Sequence, residues 1–265
     1  MKKIIVGIVS LSLIAANAKA QEILDEAYLE CSYTFTQMID TITQKKSIGD
    51  TDMRLLVGKK FSKFYSIKLH ELDSVLKSMT ETEQISMLSS GGLTDFIQKY
   101  RSTEGYKVYT NHIEHKIIFT DVQPPNRILY NESTPKQDWK IEKETKEIAG
   151  NKCQKATCNF RGRNYVAWFT NEIPISEGPW KFNGLPGLIV KVYDTQEHYD
   201  FELTYTRKIK KEITFNEKDF KEISLKDHIR ICRHRIQHPL ENFRNVRSTL
   251  NPDPKKYDVR ERDIK

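Results

Sequence analysis

Apolar and polar residues alternate with a period of two along most of this chain, and that alternation reads as a run of short strands. It predicts strands over 27–38, 128–132, 139–148, 152–160, 165–170, 188–194 and 199–208. Residues 53–66 read as two short strands turning at Gly58-Lys59-Lys60, after a polar loop around Gly49 and Asp50. Residues 106–122 read as two more, turning near Glu114 and His115 and broken by Pro124-Pro125. Arg161-Gly162-Arg163-Asn164 is a hairpin turn, and Glu197-His198 is another. Short strands at this spacing predict a mainly β, β-rich α+β fold: an antiparallel sheet curved into a bowl or partial barrel.

The period changes twice. Leu69, Leu72, Val75 or Leu76, and Met79 recur at helical spacing, with Ser66 as a cap. Thr80 and Glu83 form a capping box, and Gly91-Gly92 is a stop, so residues 67–100 read as a helical insert over one sheet edge. Ser224 and Asp227 form a second capping box. It starts a C-terminal helix over about 225–238 that carries Ile229, Cys232, Arg233 and Ile236 and ends at Pro239. Residues 244–265 are dense in charge and proline and read as a flexible tail. One β-rich domain over 21–243 is expected, with no internal repeat.

Residues 1–20 read as an export signal. Lys2 and Lys3 precede an apolar stretch, and Ala18-Lys19-Ala20 is a small-x-small cleavage site before Gln21. The apolar stretch runs for about 13 residues, short of the roughly 20 that span a bilayer. No cysteine follows the cut, so a lipid anchor is not expected, nor is a transmembrane segment in the mature chain. Periplasmic, outer-membrane-associated or extracellular residence follows. Removing Lys2, Lys3 and Lys19 with the signal leaves 40 basic and 36 acidic residues, a net +4. Lysine and glutamate are interleaved, as in 140–147, rather than gathered on one face. Nucleic acid is therefore not an expected partner.

Cys31, Cys153, Cys158 and Cys232 all lie in the mature chain, where export favours disulfides. Cys153 and Cys158 sit on one predicted strand, roughly 16 Å apart at five residues of rise. A disulfide needs Cα atoms within about 7 Å. Cys31 shares the apolar face of the first strand, and Cys158 shares a face with Ala156 and Phe160. A Cys31–Cys158 bond is the preferred pairing, with free buried thiols as the other reading.

No phosphate loop, dinucleotide fingerprint, nucleophile elbow or zinc-protease helix is present. No cofactor is expected and no catalytic residue is assigned. Trp180, Lys181 and Phe182, with Arg161, Arg163 and Trp168, are the candidate ligand-binding set. Aromatic faces stack on sugars, and guanidinium groups bind carboxylates in pairs. The plainer reading makes the tryptophans core and gives the arginines to a turn. Glu172, Glu177 and Asp194 are candidates for an acid/base pair whose spacing the sequence does not fix. His234 and His238, four apart on a helix, are a candidate metal pair, against the plainer reading of a solvated basic helix end. Cys232 lies about 200° round the helix from His234 and does not join that pair. His112 and His115 are a weaker pair.

Gly184-Leu185-Pro186-Gly187-Leu188-Ile189 follows Gly178-Pro179-Trp180-Lys181-Phe182-Asn183 and packs turn formers into an apolar stretch that enters a strand. It resembles the motif that names the GLPGLI family of exported proteins from Bacteroidetes-type bacteria. The likeness extends through Asp138-Trp139-Lys140-Ile141, 144–150, 152–156, Phe160-Arg161-Gly162-Arg163, Ala167-Trp168-Phe169-Thr170 and Glu172-Ile173-Pro174. Cys158 does not match a family position, so a disulfide there would be particular to this chain. The resemblance implies no established reaction. It does imply a relation to the bowl-shaped N-terminal module of some peptide N-glycosidases, an accessory to a separate catalytic domain that this length does not accommodate. Two function classes follow: a noncatalytic binding or accessory module for a peptide, glycan or envelope protein, and a hydrolase of an unrecognised type. Metal handling through His234 and His238 is a third.

Overall fold

In the computed structural model, which describes residues 22–40, 45–80, 82, 83, 85, 86, 105–123, 126–217 and 219–237, the period-two alternation becomes a single sheet. Its elements in chain order are β1 (Glu22–Asp40), β2 (Lys45–Val57), β3 (Phe61–Ser66), α1 (Ile67–Ser78), β4 (Tyr106–Asn111), β5 (Lys116–Gln123) and β6 (Asn126–Ser133). They continue as β7 (Lys140–Ile148), β8 (Asn151–Phe160), β9 (Arg163–Thr170), β10 (Leu188–Asp194), β11 (Tyr199–Phe215), β12 (Lys221–Glu222) and α2 (Leu225–Gln237). The strand order is β12-β6-β5-β4-β3-β2-β1-β11-β10-β9-β8-β7. Every pairing is antiparallel except β12 with β6, so the sheet is mixed at one edge. It is curved and open, not closed into a barrel.

Two arms grow from a central ladder. β1 and β11, the two longest strands, pair from Glu22↔Phe215 to Gln37↔Tyr199. From β1 the chain meanders outward through β6, then residues 134–139 carry it to the far edge, and β7 to β10 return it to β11. The alternation of Cys31, Tyr33 and Phe35 puts these side chains on the concave face. A register shift between Ala27 and Leu29 moves Ala27 to the convex face, where it meets Leu56, Tyr65 and Ile213. An extra residue in one strand flips every side chain beyond it, so one bulge lets a single strand feed both layers.

An aromatic row crosses the concave face. Phe201 stacks on Phe35 at 4.5 Å between centroids, Phe64 lies 5.9 Å from Phe201, and Tyr106, Phe119 and Tyr130 continue outward at 6.4, 5.3 and 4.8 Å steps. Such pairs contribute about 0.5–1.5 kcal/mol each beyond the area they bury. On the convex face α1 is capped by Ser66, whose Oγ accepts from Leu69 N at 3.4 Å. The predicted capping boxes both form: Glu83 N donates to Thr80 Oγ1 at 3.3 Å and Asp227 N to Ser224 Oγ at 3.0 Å.

Three expectations change. The loop expected at Gly49 and Asp50 lies within β2. β1 continues to Asp40, and the register step from Phe35↔Thr51 to Gln37↔Ser47 absorbs the polar pair as a bulge. β11 runs past residue 208 to Phe215, because β1 offers it a partner as far as Glu22. The cysteines are thiols, and Cys31 is not bonded to Cys158. Both face the core as expected, but Cys158 pairs with Tyr165 and Tyr165 with Asp194, a row that meets β1 near Gln37. Cys31 is six residues from that row, and β11, β10 and β9 lie between the strands. Six residues of rise is about 20 Å, well beyond disulfide reach. The export signal, Gly91-Gly92, Pro124-Pro125, His238, Pro239 and the tail over 244–265 lie outside the described residues.

Candidate functional site

Between β9 and β10 the chain leaves the sheet for residues 171–187 and fills the concave face with its own motif. The loop must return within a tight space, and Gly187 is where it does so. A Cβ there would lie 2.1 Å from the carbonyl oxygen of Thr170, a backbone atom that cannot swing away. Gly184 supplies a φ of +89°. Trp180 also takes a positive φ, 56°, a conformation costly for a bulky residue and held here by burial. Its ring packs edge-on against Phe160 at 5.8 Å and Phe182 at 5.3 Å, and Phe182 meets Tyr165 at 4.8 Å. Leu185, Leu188 and Ile189 are buried with them, while Pro186 is exposed.

Three polar groups surround this plug. In the first, the Lys181 side chain is fully buried. Its Nζ pairs with Glu132 Oε1 at 2.7 Å, donates to the Tyr130 hydroxyl at 2.6 Å and faces the rings of Phe119, Tyr130 and Trp180. Arg161 pairs with the other oxygen of Glu132. Gln137 ties down the backbone by donating to Lys181 O at 2.8 Å and accepting from Asn183 N at 2.9 Å. Trp139 Nε1 donates to Asn183 O at 2.7 Å.

In the second, on the side of β5 and α2, His228 packs against the stacked pair of Phe119 and Tyr130, at 5.2 and 5.1 Å between ring centroids. Its Nε2 faces Asp121 Oδ2 at 3.3 Å and Cys232 Sγ at 3.6 Å. Burial disfavours its charge, but its contacts with Asp121 and Cys232 prevail and hold its pKa up at about 9.

In the third, at the rim near β3 and the β4–β5 turn, the Glu177 side chain is 13 % exposed. Ser62 Oγ donates to it at 3.2 Å and His112 Nδ1 lies 3.3 Å away. Burial pushes the Glu177 carboxyl up to about 8, against the smaller opposing effect of Ser62, and burial also lowers the His112 pKa. Both groups are therefore largely neutral at pH 7. Tyr28, 43 % exposed, is close enough for Glu177 to raise its pKa further after burial has done so.

The residues expected to bind ligand are thus distributed as follows. Trp180, Lys181, Phe182, Trp168 and Arg163 are buried, and Arg161 is half-buried. Lys181 and Arg161 meet through Glu132. Arg163 instead pairs with Asp194 Oδ2 at 2.9 Å and faces His198 and the Tyr199 ring. Strand alternation sets Trp168 on the face of β9 opposite Tyr165, under Lys146 at 4.0 Å. It is not brought to Trp180. Glu172, Glu177 and Asp194 do not converge either: Glu172 is exposed, and Asp194 is committed to Arg163 and to Tyr199 N. His234 is exposed on α2, and His112 and His115 lie on the β4–β5 turn with His112 turned to Glu177.

Sequence reasoning missed Glu132, Asp121 and His228, although each carries a signal. Glu132 is in phase with Ile128 and Tyr130, Asp121 with Ile117 and Phe119, and His228 lies on the Leu225, Ile229, Cys232 face of α2. A charged residue in phase with core positions marks a buried polar site.

Residues 161–191 match the model of a family described as Porph_ging, a protein of unknown function. No curated protein matches the chain. Two structures of PNGF-II, a peptide N-glycosidase, are similar in fold. One, in space group P21, has a TM-score of 0.53 at 16% identity over 77% of this chain and 33% of that one. The other, in space group C2, has a TM-score of 0.50 at 14% identity over 80% and 32%. This chain therefore spans about a third of the structures it resembles. The family match falls on the turn and motif segment that carries the GLPGLI resemblance, so the chain is similar there to a Bacteroidetes-type family of unknown function and, separately, similar in fold to part of a peptide N-glycosidase.

Proposed function

We propose that this chain is an exported, noncatalytic binding or accessory module of the cell envelope, recognising a peptide, glycan or envelope protein. The observation that carries this reading is the filled bowl. The motif loop occupies the concave face with its own aromatic and charged side chains, which hold the shape of the sheet rather than await a substrate. The related bowl in PNGF-II is one part of a longer chain, which is consistent with a module that works beside another protein. Ligand contact then falls to the rim, where Tyr28 and His112 lie near Glu177 and Ile113, the residue after His112 in the β4–β5 turn, is exposed. Neutral hydrogen-bonding groups beside an apolar side chain suit a glycan or a peptide backbone better than a charged ligand.

The test is affinity capture of the mature protein from its own cell envelope, with mass spectrometry of what it retains, repeated with a Tyr28→Ala, Ile113→Asp double variant. A stoichiometric ligand lost by the variant, with an unchanged circular dichroism spectrum, supports the reading. A ligand retained by the variant removes the rim from it. The hydrolase reading has one observation in its favour, a Glu177 carboxyl with a pKa near 8 beside His112. It replaces the first reading if the wild type comes through empty and cleaves envelope peptides or glycans in a Glu177-dependent way.

A further inference from the structure

The second polar group has a geometry the binding reading does not use. His228 and Cys232 are four apart on α2, so they project from one face, and Asp121 reaches them from the core-facing side of β5. Their donor atoms all lie within 4.8 Å of one another. Asp121 and Cys232 both approach the same ring nitrogen, Nε2. A Cys–His–Asp catalytic triad needs the carboxylate on one nitrogen and the thiol on the other, so this arrangement is not a triad. Three donors converging on one point is instead how a metal is held.

The distances agree. A tetrahedral zinc ion has bonds of about 2.0–2.3 Å, which sets neighbouring donors roughly 3.3–3.5 Å apart. The observed 3.3 Å from nitrogen to oxygen and 3.6 Å from nitrogen to sulfur match that spacing, and the first is longer than an ordinary hydrogen bond. The ring is also fixed before any ion arrives. Phe119 and Tyr130 pack against it, and its polar contacts with Asp121 and Cys232 both fall at Nε2. The Asp121 and His228 side chains are 11 % and 8 % exposed, while Cys232 is only half-buried, which leaves a way in from solvent.

We propose that Asp121, His228 and Cys232 form a three-ligand site for a zinc-class divalent cation, with the fourth position open to water. One thiolate, one imidazole and one carboxylate select a borderline transition ion over calcium or magnesium, which require an all-oxygen shell. Thiolate and carboxylate together neutralise the ion's charge in a half-buried place. The site joins α2 to β5, so the ion acts as a clasp between the C-terminal helix and the outer arm of the sheet.

Reduced, full-length mature protein is titrated with zinc against a chromophoric chelator and, separately, with cobalt(II). One ion per chain, a thiolate-to-cobalt charge-transfer band and a higher melting temperature with zinc are expected. Cys232→Ser, at a half-buried position, should abolish the band and weaken zinc by more than ~10-fold, while Asp121→Asn weakens zinc and keeps the band. His234→Ala should change neither. The proposal is overturned if the wild type shows no stoichiometric binding, or if Cys232→Ser binds as well as wild type. It is also overturned if binding depends on His234, which would place the ion on the exposed face of α2.

Discussion

Two lysines are buried on opposite faces of the same sheet, and their surroundings differ. Lys181, on the concave side, meets a carboxylate, a phenol and three aromatic faces. Lys63, on the convex side, donates to a carbonyl, Thr214 O at 3.2 Å, and lies over the rings of Tyr65 and Tyr109. Its carboxylate neighbours are taken by another lysine, since Lys107 holds both Glu217 at 2.9 Å and Asp73 at 3.1 Å. Burial, and then repulsion from Lys107, push the Lys63 pKa down to about 7. A buried cation in direct contact with a carboxylate can serve as a structural pin. A buried cation without one remains a cost to the fold.

The largest effect comes from erasing that difference. Glu132→Ala strands both Lys181 and Arg161, and should lower unfolding free energy by about 3–5 kcal/mol in chemical denaturation. A loss under about 1 kcal/mol would show that water or another group replaces Glu132. Next is the loop that delivers Lys181. Gly187→Ala forces a Cβ against the Thr170 carbonyl and should cost about 3 kcal/mol, with an unchanged melting temperature counting against the motif as a structural device.

The pH dependence separates the two faces further. The folded pKa of Glu177, about 8, lies above its ordinary value of 4.5, so the native state holds a proton that the unfolded chain has released. Stability therefore falls as pH rises from about 4.5 to 8, by up to ~1.4 kcal/mol per unit. Glu177→Gln should flatten that limb in a series of melts. Lys63 runs the other way. Its folded pKa of about 7 lies below 10.5, so the unfolded chain holds the extra proton and stability rises between about pH 7 and 10.5. Together these two groups put a minimum in their contribution near pH 7–8. Lys63→Met should flatten the alkaline limb and, as the smallest of these effects, add about 1–2 kcal/mol at pH 6. A loss of stability there would mean that the bond to Thr214 outweighs the buried charge.

How legible each part was follows from the range of the forces that set it. β7, β8 and β9 were readable because tight turn formers delimit them. Ala149-Gly150 and Arg161-Gly162 both take positive φ at the two central positions, as tight hairpins require. The extra length of β1 and β11 was not readable, since residues 209–215 are dominated by lysine, isoleucine and glutamate and become a strand only because β1 lies beside them. The motif was recognisable as a bend with an apolar load. That it turns inward, burying Trp180 and Lys181 rather than presenting them, depends on Glu132 and Tyr130 from β6 and Gln137 from the 134–139 connection, all more than forty residues earlier.

Composition, alternation and turn chemistry by themselves determined a β-rich bowl with two helical excursions, because hydrogen-bond geometry and burial on one face act between near neighbours in the chain. The tertiary structure alone decided which charges meet. Glu132 meets Arg161 and Lys181, Asp121 meets the His228–Cys232 pair, and Glu177 meets His112 through strand order and register, and none of these three long-range pairings is written in a local pattern.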